Sequence, residues 1–209
     1  MIEVYIIGSD VMMESQISTV ISDGFLALTT LHAAYNVFRS SYVASIGFLI
    51  IAMAACLGTA RFGQQFPVNK LISWHEYMIW LVGVAGLPLI SCGYCHLRNS
   101  TLLSNALLSG CFAVLLLQKQ LTDDVKAICR DGIGAFSLLV ISVVSVAGGI
   151  SYGVIGVVLY VAGSLVMKIT LQQLGIKTVD LFHYALMFGN IALMFGLIKE
   201  ERPVYYRGT

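Results

Sequence analysis

Long apolar runs separated by short polar interruptions fill this chain, and their lengths predict helices that cross a membrane. Such a helix needs about 20 apolar residues for a ~30 Å hydrocarbon layer. Seven runs fit that reading, at residues 17–38, 42–60, 71–97, 101–117, 132–147, 150–174 and 178–198. Between them, Arg39-Ser40-Ser41 reads as a minimal turn, and residues 61–70 as a loop marked by Gly63, Pro67 and Asn69. Pro88 removes a backbone donor in the middle of the third run and predicts a kink there. Residues 118–131 carry Lys119, Asp123, Asp124, Lys126, Arg130 and Asp131, and read as a solvated loop. Gly148-Gly149 ends the fifth run, and Gly175 stops the sixth after Lys168 has snorkelled from its last turns. The expectation is an all-α integral membrane protein, a seven-transmembrane helix bundle over residues 17–198. A short acidic N-terminal segment (1–16) precedes it and a polar C-terminal tail (199–209) follows.

Composition sharpens this picture. Of 209 residues, 58% are hydrophobic and 11% charged, so there is too little polar surface for a water-soluble globule. Twelve Lys and Arg against eleven Asp and Glu leave no basic field for nucleic acid. The expected partner is the lipid bilayer, with a lipid or small-molecule ligand. Residues 1–16 contain Glu3, Asp10 and Glu14 without Lys or Arg, unlike a cleavable signal peptide, so the first run is expected to direct insertion. Cys92 and Cys95 form a CxxC followed by His96, but no second ligand pair accompanies it, and the other cysteines lie mostly in apolar runs.

Candidate chemistry lies where polar residues interrupt the apolar runs. In the last run Asp180, His183, Met187 and Asn190 fall at i, i+3, i+7 and i+10 and form a stripe on one helix face. The first run carries Ser22, Thr29, His32 and Asn36 on one stripe, with Thr19, Asp23 and Thr30 on another nearby. The third run opens with Ser73-Trp74-His75-Glu76-Tyr77, an ionisable pair between interfacial aromatics. Alternating spans bring Asp23, His75, Glu76, Asp180 and His183 to one side of the membrane, with His32 and His96 toward the other. Ionisable groups inside a membrane mark a site by default. These could pair, coordinate a cation or hold a polar head group. The plainer alternatives are that Asp180 caps a helix start and that His75-Glu76 sits wet among head groups. Lys and Arg divide seven to five between the two sides, which leaves orientation open.

Seven spans in about two hundred residues, with polar positions early in spans 3 and 7, resemble the superfamily of alkaline ceramidases, progestin and adipoQ receptors and related membrane hydrolases. That resemblance implies a zinc held by one His late in span 2 and two His four residues apart in span 7, with an Asp at the start of span 3. Here Glu76 or His75 occupies the span 3 region and His183 the span 7 region. Span 2 ends Cys56-Leu57-Gly58-Thr59-Ala60-Arg61 without a His, and Val179 and Met187 flank His183 at four residues' distance, so two of the three zinc ligands are missing.

Two functions therefore stand open. In a membrane-embedded lipid amide or ester hydrolase, His183 or His75 would bind a divalent metal such as zinc or act as base. Asp180 or Glu76 would orient it or activate water, and Asp23 would complete the pocket. In a non-catalytic sensor, ligand-binding protein or transporter, the same residues, with Asn190 and His32, would hold a ligand or relay protons. A retinal protein is disfavoured because span 7 has no interior lysine.

Overall fold

In the computed structural model, residues 2–167 and 177–199 are described, with side chains for 16–167 and 177–199. Every regular element among them is helical: α1 (Ile2–Val37), α2 (Tyr42–Phe62), α3 (Asn69–Leu97), α4 (Thr101–Leu117), α5 (Asp123–Gly148), α6 (Ser151–Val166) and α7 (Thr178–Lys199). Five are long and apolar enough to cross a membrane: α1 over Gln16–Val37, α2, α3, α5 and α7. The apolar α4 and α6 have 17 and 16 residues. Large apolar side chains such as Leu28, Phe112, Leu139 and Val158 stand exposed on the outer faces, as lipid-facing surface requires.

Contacts between side chains fix the helix directions. Asp23 and Thr30 of α1 meet His183 and Asn190 of α7 in the same order, so α1 and α7 run parallel. Ser45 at the start of α2 donates to the Ala34 carbonyl near the end of α1, while Gly58 near the end of α2 lies against Asp23, so these two run antiparallel. Along α3 and α5, Trp80 Nε1 donates to the Lys126 carbonyl, Gly83 faces Arg130, and Arg98 donates to the Gly148 carbonyl. The two are therefore parallel, and α4 must return between them. Gly153, Tyr160 and Gly163 of α6 meet Gly196, Asn190 and Phe182 of α7 in reverse order. Each described helix thus runs opposite to the one before it.

Small residues bring these helices together. Without a hydrophobic force between helices in lipid, association depends on close van der Waals packing and interhelical hydrogen bonds. Gly47 of α2 packs on the backbone of α3, where an added Cβ would come 2.5 Å from the Gly86 carbonyl and 2.9 Å from Ile90 Cγ1. Gly156 does the same against Leu193 and the Gly189 carbonyl of α7. The central core joins Phe48, Ile90, Tyr94, Ile141, Leu193 and Leu197, and Tyr94 donates to the Leu193 carbonyl at 2.9 Å.

One expectation changes, and two other features take a definite form. Residues 123–131 are not a loop: α5 begins at Asp123, with Asp123 and Asp124 in the first turn, where acids complement the helix dipole. Lys126 pairs back to Asp123 at 2.9 Å, so the charges decorate the opening turns of a 26-residue helix. Pro88 is absorbed by a π turn at Val82–Gly86, in which the Leu87 N–H bonds the Val82 carbonyl five residues back. That widened turn accommodates the donor and steric gap a proline leaves. Residues 2–16, the short acidic segment, have helical backbone that belongs to α1. Lys168 and Gly175, and the tail beyond Lys199, lie outside the described residues.

Candidate functional site: a buried Asp–His–Ser–Asp line

The parallel packing of α1 and α7 repeats every seven residues. Two turns of helix, about 10 Å of rise, separate the Asp23–His183 contact from the Thr30–Asn190 contact. The first is ionisable and the second neutral.

At the first level His183 lies between two acids. Its Nε2 is 3.4 Å from Asp23 Oδ1, and its Nδ1 is 3.0 Å from Ser22 Oγ. Ser22 is fully buried, and its hydroxyl also faces Asp180 Oδ1 and the Thr19 carbonyl, each at 3.1 Å. Ser18, one turn earlier on α1, donates to the other Asp180 oxygen, Oδ2. The result is a continuous polar line, Asp23–His183–Ser22–Asp180–Ser18, between two helices. Asp23 is 3% and Asp180 4% exposed. Asp180 therefore does more than cap a helix start, because both its oxygens are engaged by α1.

Asp23 has one oxygen in the line and one outside it. Its Oδ2 is buried without a hydrogen-bond partner and rests against Gly58 of α2, where a Cβ would collide with the carboxyl group. A buried carboxylate oxygen left unpaired is costly. The third wall of this site is thus α2.

His75 and Glu76 form an adjoining cluster between α2 and α3. Arg61 Nη1 lies 3.2 Å from His75 Nδ1 and 3.6 Å from Glu76 Oε1. Since arginine only donates, His75 Nδ1 is the acceptor and its proton resides on Nε2. His75 is buried with the Phe62 ring edge-on to it at 5.8 Å, whereas Glu76 is exposed. The two clusters share α2, with Gly58 on Asp23 and Arg61 on His75.

The remaining candidates lie elsewhere. Asn190, fully buried, accepts from Tyr160 at 2.5 Å and donates to Thr30 at 3.2 Å, tying α1, α6 and α7 together. His32 is exposed on the outer face of α1, bonded to Asn36. His96 is exposed at the end of α3 beside Ser104. Cys92 and Cys95 are buried, free thiols in the core, where they act as small apolar residues. Among the described residues no three His, Cys, Asp or Glu side chains gather as a metal ion would require. Sequence reasoning missed Ser18, Arg61 and Gly58. Ser18 and Ser22, spaced i and i+4 beside Asp23, were the available signal. Compared with protein-family models, curated proteins and solved structures, the chain matches none of them.

Proposed function

We propose that the chain is a seven-span membrane protein that takes up and passes protons along Asp23–His183–Ser22–Asp180, as a proton-linked transporter or sensor. The observation that carries this reading is the unbroken line of short polar contacts joining two buried carboxyl groups through an imidazole. Acid and histidine chains inside membranes are the usual means of proton relay. A proton on Asp23 passes from Oδ1 to His183 Nε2, leaving carboxylate and imidazolium. The imidazolium releases its other proton from Nδ1 to Ser22 Oγ as Ser22 gives its own to Asp180 Oδ1. Serine ends neutral, and one proton has moved from acid to acid. The alternating helix directions support seven crossings, with α4 and α6 as the two short spans.

Infrared difference spectroscopy over a pH titration of the reconstituted protein tests this. A protonated carboxyl band that titrates in the wild type is expected to vanish in Asp23→Asn and Asp180→Asn together and to shift in His183→Ala. No titrating carboxyl band in the folded wild type would overturn the proposal.

A second reading has one specific observation in its favour. Ser22, His183 and Asp23 stand in the order nucleophile, base and orienting acid, at 3.0 and 3.4 Å. A lipid hydrolase, as the ceramidase-like layout implies, would use them so, without the zinc ligands missing at the end of span 2 and four residues from His183. Ser22 is fully buried and its one proton already faces two other acceptors, which weakens it as a nucleophile. Covalent labelling of Ser22 by a fluorophosphonate would favour this reading over the relay.

A further inference from the structure

The inner face of α1 packs on α2 and α7, and its outer face carries a regular seam. Ile21, Phe25, Leu28, His32 and Tyr35 are all exposed and spaced four, three, four and three residues apart. That alternation is the a/d rhythm by which two helices pack side by side in a left-handed supercoil. Tyr35 at 82% and Leu28 at 65% are among the most exposed large apolar residues of the helix.

One seam position is polar, and its hydrogen bonds can be counted. Asn36 Nδ2 donates to the His32 carbonyl at 2.8 Å, which fixes the amide orientation, since an oxygen there would face an oxygen. Its second hydrogen points at His32 Nε2, 3.1 Å away. Nε2 is therefore the acceptor of the neutral ring, and Nδ1 carries the proton. That leaves one donor, His32 Nδ1–H, and one acceptor, Asn36 Oδ1, with no further hydrogen bond among the described residues. His32 lies five residues inside the end of α1 at Val37, about 8 Å of helix rise, within an apolar stretch where lipid tails offer neither donor nor acceptor.

A group that supplies one acceptor and one donor at the same depth, on a matching apolar seam, is a second copy of the same stripe. We propose that the outer face of α1 is the contact between two parallel copies of this chain, related by a twofold axis along the membrane normal. His32 Nδ1–H of each copy is satisfied by Asn36 Oδ1 of the other, and Leu28 and Tyr35 pack across the seam. A twofold contact is self-complementary by construction, and a single polar position in an a/d seam sets register and copy number. This inference does not rest on the proton line, whose Asp23 stands nine residues from His32, on the opposite side of α1.

The test uses purified full-length protein in liposomes, with Cys56 and Cys129 replaced by Ser. Leu28→Cys is expected to give a disulfide-linked dimer on mild oxidation. Leu102→Cys, 82% exposed on α4, is expected to stay monomeric. Energy transfer between donor- and acceptor-labelled copies should show self-association of the wild type. His32→Leu with Asn36→Leu should weaken it about three- to tenfold, the size of one or two interhelical hydrogen bonds in a membrane. A thermal melt of the double variant establishes that it is folded. Equal cross-linking at Leu28 and Leu102, the mark of random collision of a seam covered only by lipid, would overturn the proposal. So would a monomeric wild type, or a folded double variant that associates as tightly as the parent.

Discussion

His183 engages an acid through each ring nitrogen, directly at Asp23 and through Ser22 at Asp180, whereas Asn190 two turns deeper engages only neutral partners. This contrast separates residues that hold the bundle together from residues that, in the proposed relay, carry protons. Asn190→Leu should strand the Tyr160 hydroxyl in the core and cost about 1–2 kcal/mol of stability. A lowered melting temperature in detergent, with carboxyl titration unchanged, is the expected result. Gly58→Ala should do the reverse. A methyl group there meets the Asp23 carboxyl, which must leave His183, so the titration of the site changes more than the melting temperature. Much of this was legible in sequence because Asp23 and His183 are held at one depth by span alternation. The separation of His32 from Asp23 has a geometric cause. On a helix of 3.6 residues per turn, nine residues rotate a side chain about 180°, which sets His32 opposite Asp23, while Thr30, seven residues on, returns to nearly the same face. Partner choice is a different matter: Ser18, Gly58 and Arg61 acquire meaning only when a second helix is laid against them.

Glycines on these helices divide according to what lies beside them, and the division is measurable. Gly47 sits where α2 touches the α3 backbone, at the Gly86 carbonyl and the Ile90 amide nitrogen, neither of which can rotate away. Gly110 of α4 faces outward, and a methyl group added there would meet nothing within 4 Å. Gly47→Ala should therefore destabilise by about 1–3 kcal/mol, as overpacking does. Gly110→Ala should be neutral or stabilise by up to about 1 kcal/mol through helix propensity. Parallel melts of the two variants check both signs at once. The elements themselves were visible in the apolar runs, and their ends less so. Charge density made 123–131 look like loop, yet three acids, a lysine and an arginine suit the opening turns of α5, where their heads can reach water. Pro88 signalled a disturbance in α3, but its form, a π turn displaced toward the N-terminal side, depends on the small buried residues Gly83, Ala85 and Gly86 around it.

For the whole molecule, the question is how many of the alternating helices cross the membrane. Among the described residues five are long and apolar enough to do so, and α4 and α6, at 17 and 16 residues, sit at the lower edge of what a bilayer needs. Their neighbours limit the alternatives. With α3 and α5 parallel from Trp80–Lys126 to Arg98–Gly148, α4 has to return over that same height. With Gly153 beside Gly196 and Gly163 beside Phe182, α6 descends as α7 rises. Seven crossings then place Gln64, Gln120 and Lys177 on one side and Ser40, Ser100 and Ser151 on the other. Single cysteines at these six positions, in a background without the exposed native thiols, should label in those two groups with a membrane-impermeant maleimide on sealed vesicles. Gln120 labelling together with Ser100 would mean that α4 does not cross, and Lys177 together with Ser151 would mean the same of α6. The two-group result would also put Asp180, Ser18, Arg61 and Glu76 near the face that carries Gln64. The proton line would then open toward the side on which Glu76 is exposed, with Asp23 as its inner end.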